Sequence, residues 1–206
     1  MANEGDGVGA ASVLGIGGSV SIQPPLGEEW EIWNLFAGAA ANLIRLDAAF
    51  GHETVIEAFT SPDDLAINDG RRYHLNNSNF LKITNTSGAP LLAGYAGMCT
   101  GKNKTGAGTR TIGYQEVHGS AGVTPYIDIR PPSGAVWLIE ELWAENSHVL
   151  YRTGDGVNFA QMLVNAGAEA YNYPKRWMVT YSSYLRFQNT NASLRWLGYA
   201  GVVIKA

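Results

Sequence analysis

The stretch NTSGAPLLAGYAG (residues 85–97) returns about a hundred residues later as NTNASLRWLGYAG (residues 189–201). Working outward from this pair, the register holds at an offset of 104 residues, the kind of fixed period that marks an internal repeat. RRYHLNNSNFLKITNTSGAPLLAGYAG (71–97) lies over KRWMVTYSSYLRFQNTNASLRWLGYAG (175–201), with nine of 27 positions identical. These are Arg72/Arg176, Ser78/Ser182, Leu81/Leu185, Asn85/Asn189, Thr86/Thr190 and the closing Gly-Tyr-Ala-Gly. Upstream, IQPPLGEEWEIWNL (22–35) lies over IRPPSGAVWLIEEL (129–142) at an offset of 107, with seven of fourteen positions identical. The second copy is three residues shorter between the blocks, where a loop absorbs the difference. Two blocks in one order at nearly one spacing make the chain a tandem duplication.

Each copy reads as a small β-unit. EEWEIWNLF and AVWLIEELWA carry strand-favouring residues, and NFLKITNT and YLRFQNT alternate large apolar with polar side chains. Pro-Pro before Gly marks a strand end and a turn, and Asn-Asp-Gly (68–70) and Gly-Asp-Gly (154–156) are turn signals. No window holds a 3.6-residue period. The expected fold is all-β, a tandem duplication of a β-sandwich or jelly-roll unit of seven or eight short strands, with an extended N-terminal arm. The expected boundaries are an arm over 1–18, a first unit over 19–99, and a second over 121–206. A basic linker over 100–120 lies between them, and its RTIGYQEV opens the second copy. The Gly-Tyr-Ala-Gly falls in the last strand of each unit, where glycine lets a neighbouring backbone approach closely. Trp30, Trp137, Tyr95 and Tyr199 are read as the structural signature of the repeat.

Composition fits a folded chain: 46% hydrophobic and 16% charged, with 25 glycines over 206 residues. The first residues lack the basic start and apolar run of a secretory signal. No segment reaches the roughly 20 apolar residues needed to span a bilayer as a helix. With Cys99 alone, no intramolecular disulfide forms. Residues 19–99 hold four Lys/Arg against nine Asp/Glu, whereas residues 121–206 hold seven against six. There is no polybasic face for nucleic acid.

Candidate chemistry is sparse. The four histidines are scattered, with no HExxH or paired spacing, so no metal or other cofactor is expected. The acidic loop containing Asp63, Asp64 and Asp69 lacks the spacing of a calcium loop. Glu28, Glu29 and Glu31 answer to Ala135, Val136 and Leu138, so they read as a solvated strand face rather than a catalytic carboxylate pair. Cys99 reads as a packed thiol, and no enzyme is expected. Trp33, Trp143 and Trp196 have no Trp counterpart in the other copy and are candidate exposed aromatics, suited to stacking on sugars or anchoring an interface.

A compact β-unit in tandem, a Gly/Ala-rich N-terminal stretch, no disulfide and no catalytic constellation together resemble the capsid decoration (cement) proteins of tailed bacteriophages. This resemblance is one of build along the whole chain rather than of a motif. It implies a non-enzymatic virion protein, made in the host cytoplasm, that bridges subunits of the major capsid protein or other virion proteins. It further implies a homo-oligomer, a trimer favoured, with arms reaching to neighbours. On that reading Val8, Val13, Leu14 and Ile16 dock on a partner, and Lys102, Lys104 and Arg110 meet an acidic shell surface. Deleting residues 2–17 should then weaken attachment and leave the β-units folded. The alternative is a carbohydrate- or receptor-binding module of a tail, fibre or lectin. A bicupin enzyme needs a GxxxxHxH pattern that the chain lacks.

Overall fold

A computed structural model describes residues 2–48, 51–59, 72–102, 110–117, 126–144, 147–165, 171–172, 176–190 and 195–206. The chain is all-β, with no helix among the described residues. It divides into two units, Met1–Lys104 and Thr105–Ala206.

The first unit runs through β1 (Gly7–Leu14), β2 (Ser19–Ile22), β3 (Glu28–Ala37), β4 (Ala41–Asp47), β5 (His52–Phe59), β6 (Tyr73–Asn76), β7 (Asn79–Asn85) and β8 (Leu91–Lys102). One sheet has the order β1-β8-β3-β6 and the other β2-β7-β4-β5, with every neighbour antiparallel. The second unit contains β9 (Arg110–Val117), β10 (Tyr126–Ile129), β11 (Val136–Ala144), β12 (His148–Thr153) and β13 (Phe159–Asn165). It ends with β14 (Tyr171–Asn172), β15 (Trp177–Thr180), β16 (Leu185–Asn189) and β17 (Arg195–Lys205). Its sheets are β10-β16-β12-β13 and β9-β17-β11-β14, with β15 also paired to β11. Strand for strand this is the first unit's order, its β6 position being filled by the split pair β14 and β15.

The register repeats as well as the order. Ile32 faces Gly97 and Asn34 faces Ala96, leaving Trp33 as an extra residue; Ile139 faces Gly201 and Glu141 faces Ala200, leaving Glu140 extra. The shift between Glu29 and Trp30 recurs between Val136 and Trp137, and that between Leu43 and Ile44 recurs between Leu150 and Tyr151. A one-residue slip would turn every core side chain outward, so bulges are fixed features rather than noise. Three of them occupy matching places in the two units.

Alternation explains the burial. In β10, Ile127 and Ile129 point into a core that also receives Leu142 from β11, Leu150 from β12, Phe187 from β16 and Leu197 from β17. Both sheets of the second unit therefore feed one core. In the first unit Ile22, Ile32, Leu43, Leu75 and Leu81 are fully buried. Each such side chain contributes about 1.5–3 kcal/mol relative to exposure. The two sheets of each unit are also tied by an arginine: Arg45 of β4 donates to the His74 carbonyl of β6, and Arg152 of β12 donates to the Met178 carbonyl of β15.

Turns follow the sequence. Pro25 accepts from Glu28 N–H and Pro132 from Ala135 N–H, closing turns in which Gly27 and Gly134 have φ of 85° and 89°. Only glycine enters that region without strain, which is why Pro-Pro-x-Gly survives in both copies. At the Gly-Asp-Gly turn, Asp155 accepts from the backbone N–H groups of Asn158 and Val157. Those bonds, the Asn158 one foremost, hold its carboxyl well below the usual carboxylate range. The Asn-Asp-Gly turn and the acidic Asp63–Asp64–Asp69 loop lie outside the described residues.

Two boundaries need correction. Residues 1–18 are not a free arm, because Gly7–Leu14 is β1, paired along its length with β8. Its composition, GVGAASVL, hid it: small side chains on an exposed edge strand show no apolar alternation. The first unit runs past residue 99, because β8 continues to Lys102, while RTIGYQEV within the expected linker forms β9, the opening strand of the second copy and the counterpart of β1.

Candidate functional site

The repeated signature is structural. Trp30 and Tyr95 stack with ring centroids 6.2 Å apart at 27°, and Trp137 and Tyr199 stack at 6.2 Å and 24°. Gly97 and Gly201 stand opposite the bulges, and a Cβ on either would overlap the carbonyl of Glu31 or Leu138. Gly94 lies under the ring of Phe36 and Gly198 under the ring of Trp143, at matching places. Asn85, 1% exposed, donates to the carbonyls of Leu14, Gly15 and Ala89 and accepts from Ser87, stitching three chain segments. Thr86 N–H meets the Ala40 carbonyl just as Thr190 N–H meets that of Ser147.

The residues expected to contact a partner separate into distinct environments. Leu14 is 6% exposed and faces Leu91, so it belongs to the core and not to a docking surface. Val8 is half-buried opposite Gly97. Val13 and Ile16 are 73% and 69% exposed, and Val13 stands directly across the strand pair from Leu92, itself 50% exposed. Ile16 sits at the β1–β2 turn closed by Gly18 N–H on the Gly15 carbonyl. Lys102 is exposed at the end of β8. Lys104 and the side chains of Arg110 and Trp196 lie outside what the structure describes.

Among the candidate exposed aromatics, Trp33 is 40% exposed, as a bulge residue should be, whereas Trp143 is 2% exposed and is corrected to a buried residue. The alternation of β11 places Trp143 opposite in parity to the core residues Leu142 and Ala144, a position that sequence alone reads as outward. Trp33 belongs to a polar cluster around Glu31. Glu31 Oε1 accepts from Trp33 Nε1 at 2.8 Å and from Arg72 at 2.9 Å, and Oε2 lies 3.8 Å from His74 Nδ1. Glu31 is 6% exposed and His74 fully buried, so the acid expected on a solvated face is a buried hub. The second unit has Leu138, Glu140, Arg176 and Met178 at these places, and Arg176 pairs with Glu140 at 3.0 Å. With one Oε1 shared by an indole and a guanidinium, this hub is built as a brace. No set of three or more His, Cys, Asp or Glu placed to hold a metal occurs among the described residues. Cys99 is buried, and desolvation pushes its thiol above the usual value.

The surface that sequence reasoning missed is on the second unit. Tyr126, Asp128 and Arg130 share one face of the chain through β10, opposite the core residues Ile127 and Ile129. Arg186 of β16 reaches across in a bidentate pair with Asp128, at 2.7 and 2.9 Å, and its guanidinium lies 3.6 Å over the Tyr126 ring and 4.2 Å over Phe159. Arg130 donates Nε to the Tyr181 carbonyl at 2.7 Å and stacks 3.8 Å over the Tyr181 ring. Tyr126 and Tyr181 are 46% and 49% exposed. The signal was present in YIDIR, whose odd-even pattern puts Tyr, Asp and Arg together where the first copy has Ser19, Ser21 and Gln23.

No protein-family model matches this chain, and no curated protein is similar to it in sequence. Solved structures do resemble it. The major capsid protein P2 of bacteriophage PM2 aligns over 95% of this chain and 98% of its own, at 10% identity and a TM-score of 0.35. PNGase F, a glycosylasparaginase from Flavobacterium meningosepticum, aligns over 98% and 96%, at 10% identity and a TM-score of 0.44. The PBSX exported protein XepA aligns over 95% and 86%, at 13% identity and a TM-score of 0.25. Similarity at this level assigns no activity.

Proposed function

We propose that this chain is a non-enzymatic structural protein of a virion, a capsid decoration protein built from two jelly-roll sandwiches. The jelly-roll reading rests on strand order: 1-8-3-6 in one sheet and 2-7-4-5 in the other, in each unit. The partner is the major capsid protein or another virion protein. Three chains in a homo-trimer carry six related units, which suits a six-fold site on a shell lattice.

The observation that carries the docking role is the exposed cross-strand pair Val13–Leu92, with Ile16 at the adjoining turn. Apolar side chains standing together across the edge strand β1 and its inner neighbour β8 invite a partner surface, because an exposed sheet edge left uncovered is a liability. Lys102, at the far end of β8 from Leu92, is a separate exposed cation for an acidic shell. Deleting residues 2–17 is not a clean test, since it strips β1 from β8 and should unfold the first unit. The Val13→Ser/Leu92→Ser double variant keeps the backbone pairing. Quantitative mass spectrometry of gradient-purified particles should find the wild-type chain in many copies per particle and the double variant depleted. A wild-type chain absent from particles, or a double variant at undiminished occupancy, would sink the proposal.

A further inference from the structure

The Tyr–Arg face of the second unit has no structural reason to differ from its counterpart in the first. The frame needs only a donor at the position of Arg130: Gln23 donates to the Asn77 carbonyl just as Arg130 donates to that of Tyr181. Yet along this face Ser19, Ser21, Gln23, Asn77 and Lys82 become Tyr126, Asp128, Arg130, Tyr181 and Arg186. Lys82 forms an ion pair with Glu53, whereas Arg186 is locked by Asp128 and clamped against Tyr126. The first copy shows that the fold closes without any of the new side chains. Their joint arrival is therefore a property of the surface.

We infer that this face binds an acidic saccharide, a uronate-bearing chain of two or more sugar rings. Tyr126 has a guanidinium against one side of its ring and is 46% exposed, which leaves a rigid aromatic platform for the C–H face of a sugar. Tyr181, held by Arg130, is a second platform. Positions 126 and 130 are four residues apart along the extended chain through and just beyond β10, a backbone span of about 13 Å, beyond the reach of a single ring. Asp128 is already neutralised by Arg186, while Arg130 faces no carboxylate among the described residues. Its remaining N–H donors fit a carboxylate in a bidentate pair. Rings and polar groups alternate along the face, which suits a sugar's apolar side and hydroxyl rim. An acidic protein partner would be served better by contiguous apolar area around the arginine.

The test restores the first unit's residues. Isothermal titration of the full chain with oligogalacturonate, and with a neutral malto-oligosaccharide of equal length, should show binding of the acidic ligand that weakens as NaCl is raised. Arg130→Gln should reduce affinity about tenfold or more, the loss expected for one charge-assisted hydrogen bond pair. Tyr126→Ser should reduce affinity for both ligands, and Tyr181→Asn likewise, with thermal midpoints unchanged because Ser19 and Asn77 already serve in the first unit. The inference is overturned if oligogalacturonate does not bind, if Arg130→Gln leaves the acidic preference intact, or if poly-glutamate competes as well as the sugar. None of these outcomes depends on whether the chain is found on particles.

Discussion

The two units hold one backbone pattern with different fillings, and the difference separates what the fold demands from what it merely permits. Bulge positions, the Trp–Tyr stacks, the glycines beneath aromatic rings and the cross-sheet arginines are common to both. The first unit braces one sheet face with Trp33 and Arg72 gathered on the buried Glu31 beside His74, and the second replaces Glu31 and His74 with Leu138 and Met178. The second unit in turn carries the Tyr–Arg face that the first lacks. Features held in duplicate are those the β-unit needs to close. Features held once are open to use.

The largest break in the comparison should come at the ring beneath which glycine lies. Trp143→Ala removes a side chain 2% exposed and should cost the second unit about 3–5 kcal/mol, whereas Phe36→Ala, at a half-buried counterpart, should cost visibly less. Urea unfolding followed by amide exchange in each unit reads this; equal losses would mean that the two rings do the same job. Gly97→Ala and Gly201→Ala should each cost about 1–3 kcal/mol and, unlike the ring pair, should match one another, since each Cβ meets the same bulged backbone. Unequal midpoint shifts would show that the bulges are not equivalent.

The smallest effect is one of pH. Burial raises the Cys99 thiol, so the folded state favours the neutral form. The stabilisation is fully present below the ordinary thiol value of about 8.5 and is lost as pH rises through the raised folded value. Cys99→Val, which installs the residue of the second unit at Val203, should flatten the decline of stability above that pH. A decline that persists in the variant would assign it to other groups.

Much of this was legible in the sequence because duplication exposes it. Identical positions at two offsets located the bulge glycines, the turn at Pro-Pro-x-Gly and the buried Asn85, although the partners of Asn85 lie up to 71 residues away and no local pattern names them. What stayed hidden had physical causes. β1 is a strand by pairing rather than by composition, so its small residues read as a loose arm. Trp143 has outward parity in its strand and is nevertheless covered, which period-2 reasoning cannot foresee. Glu31 looked solvated because its partners Arg72 and His74 come from β6 and the segment before it, some forty residues on. The Tyr–Arg face is written in the sequence only as a contrast of Ser and Gln against Tyr and Arg at matched places, and no tryptophan marks it.

In both units the last strand is an inner one. β8 lies between β1 and β3, and β17 between β9 and β11, so one of the two sheets in each unit stays in two pieces until that strand arrives. Gly7 waits for Met98, and Arg110 for Val202, about ninety residues later in each case. During synthesis, then, an emerging unit holds open edges and an unfilled slot in that sheet until the strand carrying Gly-Tyr-Ala-Gly is available to fill it. The sequence repeated most faithfully is thus the keystone of each unit, the piece set last and on which the others lean.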